Sequence, residues 1–293
     1  MKKILALALA AVCSFTLLTA CGGNTTPPAS SNDEISSTDG IDETIDYAAL
    51  AGTTIKVAAS PAPHAEILEV AKDILAKKDI TLDIVEFTDF VQPNMVTESE
   101  QVDANYFQHT PYLDTFNKEK GTHLVSAGIV HYEPLGMYAG KSASIDALPD
   151  GAVIAVPNDP SNESRALQLL ATEGLITLKE DVGLTATVLD IVDNPKNLSI
   201  EEMEAALLPR ALNSVDMAVI NGNYAIDAGL NVSDAIAVES ADSLAAETYG
   251  NIICVKEGNE SSDAVKALMA ALQSEAVRTY MEENYAGAVV PKF

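Results

Sequence analysis

The chain has 293 residues, with 17 Lys and Arg against 43 Asp and Glu, so its formal net charge is −26 at pH 7. Apolar residues make up 47% and charged residues 20%, a mixture typical of a globular protein of one or two domains. The negative charge excludes nucleic-acid binding and docking on anionic lipid through a basic face, because both depend on Lys and Arg. Three Cys and four His are too few for a disulfide framework or a zinc ribbon.

The N-terminus has the pattern of a secretory signal. Two lysines precede an apolar stretch over residues 4–18, which at about 15 residues is shorter than the roughly 20 that a spanning helix needs. The stretch ends at Leu18-Thr19-Ala20-Cys21-Gly22, which resembles the lipobox of bacterial lipoproteins. We therefore predict a signal peptide over residues 1–20 and a lipid anchor on Cys21. The alternative is a cysteine that only happens to lie near the end of a signal sequence.

Residues 21–50 have the composition of a spacer. Small polar residues come first, and acidic residues without Lys or Arg follow. Such a segment cannot bury enough apolar surface to offset the entropy of ordering it, which predicts a disordered acidic tether. Cys13 leaves with the signal, and Cys254 lies in an apolar run that predicts inert core. The mature chain is therefore expected to have no disulfide.

Strand-like and helix-like segments alternate along the rest of the chain, which predicts parallel sheets flanked by helices. The pattern restarts near residue 150, so we expect two α/β lobes, each with a mainly parallel sheet. Lobe 1 is assigned residues 51–135 plus 250–293, and lobe 2 residues 136–249. The elements predicted from periodicity and caps are strands at 55–58, 80–84, 102–107, 152–156, 215–220 and 252–255, and helices over 67–75, from Pro111 after a Thr110 cap to Gly121, from Asp159-Pro160 to Gly174, and over 261–283.

Polar and aromatic residues gather at the predicted strand ends, where open α/β sheets bind ligands. An arginine beside a helix N-terminus suits a carboxylate, amide carbonyls accept from an ammonium group, and aromatic faces suit a thioether. The pattern predicts capture of a zwitterion with a non-polar tail. The groups are Asn105, Phe107 and His109 on one strand face, Asn162 and Arg165 on one helix face, and Asn221 and Asn223 around a glycine.

Longer motifs run through the same part of the chain. They are PHAEIL at 63–68, EFTDFVQPN at 86–94, DANYFQH at 103–109, VPNDP at 156–160, NPKNL at 194–198, AVIN at 218–221 and YGNI at 249–252. In this combination the chain resembles, from Ile55 to Phe293, the methionine-binding lipoproteins of ABC importers, the NlpA lipoprotein family. The resemblance implies the two-lobed type II fold of periplasmic binding proteins, hinged and closing over its ligand. It also implies a monomer at the extracytoplasmic side of the cell membrane that delivers L- or D-methionine to an ABC permease, without cofactor, metal or catalysis.

The resemblance further implies site residues. Polar side chains would hold the amino-acid head group, with Arg165 on the ligand carboxylate, Asn221 and Asn251 on the head group and Asn162 nearby. Aromatic side chains would line the pocket for the ligand side chain, namely Phe90, Phe107, His109 and Tyr112. The family usually has Tyr in place of Phe90, so the preferred ligand side chain stays open. Only the resemblance points to Asn251.

Other interpretations remain open at this stage. The ligand could be a methionine-containing dipeptide or another apolar amino acid. A secreted hydrolase or an adhesin is also compatible with a lipid anchor, although no G-x-S-x-G, S-x-x-K constellation or H-E-x-x-H is present. His64, His123 and His131 have no ligand spacing, so we expect no metal site. The candidate site residues could also have no role in binding. Arg165 could be a solvated helix residue, His109 a core or surface residue, and the asparagines around Gly222 turn formers.

Overall fold

The computed structural model describes residues 40–240 and 244–293. The predicted signal peptide and Cys21 lie outside the described residues, as does the tether up to residue 39. No helix within the described ranges is long and apolar enough to cross a membrane. The α-helices are α1 (Tyr47–Leu50), α2 (Glu66–Ala76), α3 (Gln92–Glu98), α4 (Thr110–Lys120), α5 (Pro160–Thr172), α6 (Leu208–Ala211), α7 (Gly222–Asp227), α8 (Leu244–Thr248), α9 (Asp263–Leu272) and α10 (Glu275–Tyr285).

The strands of the described residues form two larger sheets and one two-stranded sheet. The first sheet has the order β13-β4-β12-β3-β1-β2, the second has the order β11-β5-β10-β6-β9, and β7 pairs with β8. The strands are β1 (Thr54–Ala59), β2 (Thr81–Glu86), β3 (Ala104–His109), β4 (Leu124–Tyr132), β5 (Gly136–Ala139), β6 (Val153–Pro157), β7 (Thr177–Leu178), β8 (Ile191–Asp193), β9 (Ser199–Met203), β10 (Met217–Ile220), β11 (Ala237–Val238), β12 (Gly250–Lys256) and β13 (Val290–Pro291).

The predicted α/β class is confirmed, but both larger sheets are mixed rather than mainly parallel. Strand β1 pairs in parallel with β2 and β3, as a βαβ rhythm predicts. Strand β12 lies between β3 and β4 and runs antiparallel to both. The chain passes from β4 into the second sheet. It re-enters the first sheet at β12, which runs in the opposite direction to β4.

Two helix boundaries differ from the prediction. The N-cap of α4 is His109, whose ring accepts from the backbone N–H of Tyr112, so Thr110 is already helical. Gly121 ends α4 in the left-handed region, with φ of 69°, as the sequence predicts. The closing helix predicted over 261–283 is two helices, because Ser274 caps α10 by accepting from the N–H of Val277.

The folded part begins earlier than predicted. Helix α1 lies within the segment expected to be tether, and Ile45 is only 6% exposed and packs in the core of the first sheet. Residues 40–50 therefore belong to the folded body, which corrects the tether boundary of residue 50.

Within the described residues, the chain passes between the two larger sheets at two places. The first crossing lies between Tyr132 of β4 and Gly136 of β5. The second follows β11 and leads to Gly250 of β12. The crossings bring residues of both sheets to one cavity.

Candidate functional site

Side chains from both sheets surround a cavity of about 20 Å³, which is room for about one water molecule. They come from the end of β3, the first turns of α5, the turn after β10, and β12. The structure brings together here every ligand-binding residue predicted above: Phe90, Phe107, His109, Tyr112, Asn162, Arg165, Asn221 and Asn251.

A chain of hydrogen bonds fixes the orientation of the polar side chains. The carboxylate of Asp159 accepts twice from Asn162 Nδ2, at 3.0 and 2.9 Å. Asn162 Oδ1 must therefore point the other way, where Asn221 Nδ2 donates to it at 2.9 Å. His109 Nε2 also lies 3.2 Å from this oxygen, and its Nδ1 accepts from the N–H of Tyr112. His109 is thus the neutral tautomer protonated at Nε2.

The same chain of bonds leaves acceptors for a ligand. Because Asn221 turns its amide nitrogen to Asn162, its Oδ1 is directed elsewhere, and among the described residues this buried oxygen has no hydrogen-bond partner. A buried acceptor without a donor costs about 1–3 kcal/mol, so an incoming N–H group is favoured here. Asn251 Oδ1 lines the same cavity and lies 2.9 Å from His64 Nε2.

Arg165 is 4% exposed, which excludes a solvated helix arginine. Its Nε donates to both carboxylate oxygens of Glu239 at 2.8 and 2.9 Å, and its Nη2 donates to Oε2 of Glu239 and to the carbonyl of Glu133. The guanidinium also lies 4.5 Å from the ring centre of Tyr249. Burial opposes the charge, but the carboxylate of Glu239 outweighs it and raises the pKa of Arg165. The cation is therefore already paired within the protein.

Glu133 also lines the cavity, and two buried histidines lie beside its carboxylate, an association that sequence reasoning missed. Glu133 Oε1 lies 2.7 Å from His131 Nε2 and 3.4 Å from His64 Nε2, while Tyr106 OH is hydrogen-bonded to His131 Nδ1. The ligand atoms of the two histidines and the glutamate lie within 4.8 Å of one another, so these three could hold a metal ion. Their separation in sequence carries no spacing signal. His123, by contrast, is exposed beside Glu98.

Aromatic rings form another part of the cavity wall. The ring of Phe90 lies 5.6 Å from that of Phe107, 5.8 Å from that of Tyr112 and 4.8 Å from that of Tyr224. Tyr112 OH donates to the Phe90 carbonyl at 2.8 Å. Phe90, Tyr112 and Tyr224 also line an adjoining groove of about 690 Å³, which continues from the cavity wall to the outside. The wall is apolar enough for a thioether or alkyl chain.

The other two candidates from the strand ends have different positions. Asn105 lies away from the cavity, where its Nδ2 donates to Asn94 Oδ1 and Thr97 Oγ1. Asn223 lines the cavity together with Gly222. Asn105 is thus a structural residue of the β3–α3 contact, and Asn223 belongs to the site.

We expect the protein to lose stability when the pH falls below about 6.5. Burial lowers the pKa of His64 to about 4 and those of His109 and His131 to about 3, from 6.5. Below pH 6.5 these histidines bind protons in the unfolded chain but not in the folded chain. Each histidine therefore lowers the free energy of unfolding by up to roughly 1.4 kcal/mol per pH unit. Urea denaturation at pH 7 and pH 5 measures this loss.

Glu133 affects the pH dependence of stability in the opposite direction to the histidines. Burial raises its pKa, so its contribution is present at low pH and is lost as the pH rises through the acidic range. A His109→Gln variant should show a shallower fall in stability between pH 7 and pH 5 than the unmodified protein. An equal free energy of unfolding at both pH values in the unmodified protein would contradict the buried neutral state of the three histidines.

Comparison with known proteins gives close matches over this folded part. The family model described as NlpA lipoprotein matches residues 55–293. A Ruminococcus gnavus protein of known crystal structure is 56% identical, with a TM-score of 0.81 over 82% of this chain and 99% of its own. A nutrient-binding protein from Burkholderia cenocepacia, solved with bound methionine, is 45% identical, with a TM-score of 0.78 over 82% of this chain and 100% of its own. The methionine-binding lipoprotein MetQ of Bacillus subtilis is 43% identical over 242 residues, 81% of this chain and 87% of MetQ.

Proposed function

Because the chain belongs to the NlpA lipoprotein family, we propose that it is a lipid-anchored receptor that binds methionine outside the cytoplasm and delivers it to an ABC permease. The observation that carries the proposal is the convergence of the predicted polar and aromatic residues on one cavity between the two sheets. The methionine bound to the similar Burkholderia cenocepacia protein supports this ligand class.

The cavity offers complementary groups for each part of methionine. The ligand carboxylate would contact the guanidinium of Arg165, whose bonds within the protein use Nε and Nη2. The ammonium group would donate to the unpartnered Oδ1 of Asn221 and to Asn251. The thioether would lie against the aromatic wall around Phe107, where sulfur–ring contacts are favourable by roughly 0.3–1.5 kcal/mol.

We infer that ligand entry requires the two lobes to separate. Residues 51–135 plus 250–293 form the first lobe in this proposal and residues 136–249 the second, with the crossings between the sheets as hinge. A cavity of about 20 Å³ is far below the roughly 300 Å³ or more of usual ligand pockets. Ligand contacts made from both lobes would then favour the closed form.

The location follows from the N-terminal segment. Lipidation of Cys21 would hold the protein at the outer side of the cell membrane, since the acidic body cannot bind anionic lipid by charge. We propose that it acts as a monomer, with the permease as its membrane partner. Mass spectrometry of the mature protein tests the lipid anchor, because lipidation adds the mass of the acyl chains to a chain that starts at Cys21.

Isothermal titration calorimetry of the mature chain in detergent tests the function. We expect one saturable site for L- or D-methionine and no heat with glutamate or lysine. Asn221→Ala should weaken methionine binding by roughly tenfold or more, because a hydrogen bond to a charged group is worth about 1.5–3 kcal/mol. Asn284→Ala, an exposed asparagine outside the cavity, is the matched control and should bind normally. The absence of heat with both methionine enantiomers would contradict the proposal.

A binding role is favoured over hydrolysis by the composition of the cavity wall. Among the described residues that line the cavity there is no Ser, Thr or Cys to serve as a nucleophile. The buried thiol of Cys254 lies elsewhere, in the contact of β12 with β3. Methionine methyl ester and glycyl-methionine should be recovered unchanged after incubation with the protein. Release of methionine from either compound would indicate a hydrolase instead.

A further inference from the structure

Glu133 is a buried carboxylate in the cavity wall that the proposed function leaves without a role. It is 5% exposed and follows β4 at the first crossing between the sheets. Its Oε1 lies 2.7 Å from His131 Nε2 and 3.4 Å from His64 Nε2. Burial raises the pKa of Glu133, while His64, the guanidinium of Arg165 and the backbone N–H of Asn223 act in the opposite direction and favour its ionised form.

The histidines beside Glu133 are neutral for a geometric reason. His131 Nδ1 is hydrogen-bonded to Tyr106 OH, and with the hydroxyl as donor the ring directs its Nε2–H at Glu133. His64 Nδ1 is buried and has no hydrogen-bond partner among the described residues, so a proton there would be unsatisfied. Both rings are fully buried, which disfavours a positive charge on either of them.

The nearest fixed cation is already neutralised. Arg165 forms a bidentate ion pair with Glu239, and its hydrogen bond to Glu133 goes to the backbone carbonyl rather than to the carboxylate. Arg165 and Glu239 offset each other's charge, and among the described residues no Lys or Arg forms an ion pair with the carboxylate of Glu133. Burying a carboxylate without a counter-ion is costly unless a ligand supplies the positive charge.

The acceptors around Glu133 match the donors of an ammonium group. A Cβ on Gly222 would lie 2.7 Å from Oε2 of Glu133, so the carboxylate packs directly against the turn that carries Asn221. Asn251 Oδ1 and Glu133 Oε1 both lie beside His64 Nε2, at 2.9 and 3.4 Å. An ammonium group has three N–H donors, and Asn221, Asn251 and Glu133, which line the same cavity, each offer an acceptor oxygen.

We propose that Glu133 is the anionic receptor for the ligand's ammonium group, so that the site requires a cationic amine more strictly than a free carboxylate. The proposal rests on the proposed function and extends it to a ligand class. Primary α-amines with an apolar side chain are accepted even when the carboxyl group is an amide. Analogues without the amine are rejected, because they leave Glu133 buried and unpaired.

Titration of the unmodified mature chain with three ligands tests whether the ammonium group of the ligand contributes more to binding than its carboxylate. The ligands are methionine, methioninamide, which keeps the ammonium group, and 4-(methylthio)butanoate, which keeps only the carboxylate. We expect the butanoate to bind roughly 30-fold or more weaker than methionine, as for loss of one partner of a buried charge pair. Methioninamide should lose less. If the butanoate binds as well as the amide, or better, the proposal is wrong.

A pair of variants separates the carboxylate charge from its structural role. Glu133→Gln should lose roughly 30-fold or more in affinity for methionine but little in affinity for the butanoate, so the ratio between the two ligands shrinks. Glu163→Gln is the matched control, since Glu163 is equally buried but bonds to the N–H of Val188 away from the cavity. An equal loss for both ligands in Glu133→Gln would overturn the proposal. If that variant fails to fold, the three-ligand series still decides.

The outcomes separate this proposal from the function on which it rests. No methionine binding by the unmodified chain contradicts the function. Methionine binding with the analogue order reversed contradicts the role of Glu133 alone. Repeating the titration in EDTA covers the metal alternative for Glu133, His64 and His131. Methionine binding that disappears in EDTA would assign the carboxylate to a metal ion and overturn the proposal, whereas unchanged binding supports it.

Discussion

Replacing Arg165 by alanine should lower the free energy of unfolding by about 3–5 kcal/mol, because it leaves the carboxylate of Glu239 buried without its partner. It should also remove methionine binding, because the ligand carboxylate loses its guanidinium. The side chain of Glu239 is only 10% exposed and also accepts from Tyr132 OH and the backbone N–H of Leu135. Arg165 therefore ties the two crossings between the sheets to each other. Urea denaturation and calorimetry measure the two losses separately.

A double variant separates stability from binding. Replacing the pair by apolar and neutral groups, Arg165→Met with Glu239→Gln, removes the unpaired charge and should recover most of the stability of Arg165→Ala. Binding should stay weak, since the ligand carboxylate still lacks its guanidinium. A loss of less than about 1 kcal/mol in Arg165→Ala would mean that the ion pair does not stabilise the crossings. Normal methionine binding by the double variant would exclude Arg165 as the carboxylate receptor.

Truncating Phe107 to alanine should cost about 3–5 kcal/mol of stability, the usual range for a buried aromatic ring. Phe107 is 3% exposed and packs between Phe90 and Tyr112. The cavity left behind would also remove the wall for the ligand side chain, so methionine affinity should fall with stability. Thermal or urea unfolding and calorimetry check both effects.

Phe107→Leu is the informative control. Leucine keeps much of the volume but has no ring face, so the variant should lose the preference for methionine over norleucine, which lacks sulfur. That preference should be about two- to tenfold in the unmodified protein, from the roughly 0.3–1.5 kcal/mol of a sulfur–ring contact. An unchanged preference in Phe107→Leu would place the thioether elsewhere in the cavity.

Local signals predicted much of the fold because they come from neighbouring residues. The apolar period over 67–75 predicts α2, and the Asp159-Pro160 pair predicts the start of α5, since Asp159 accepts from the N–H of Asn162. The break at Ser274 could not be distinguished from a helix interior, because apolar positions continue on both sides of it. The antiparallel position of β12 between β3 and β4 depends on the path of the chain through the second sheet, and no local sequence pattern predicts that path.

The site shows the same division. Residues at strand ends and helix starts, such as His109, Asn162 and Asn221, were predictable from position and chemistry. Asn251 required the family resemblance, because it lies within β12 rather than at a carboxyl end. Glu239 could not be predicted from the sequence, because it is 74 residues away from Arg165 in a chain with many acidic side chains. The prediction of Arg165 as a ligand contact stands as a prediction, with an internal ion pair added.

The packing of residues 40–50 determines where mechanical load enters the protein. Gly40 lies so close to α10 and α2 that an added Cβ would be 2.8 Å from Ser274 Cβ and 3.2 Å from Ile74 Cγ2. Ile45 continues into the same core. Tension applied to the chain at residue 40 would therefore act first on α2 and the start of α10, which pack over the first sheet. In the proposed hinge motion, this attachment would hold the first sheet and leave the second sheet free to move on its crossings.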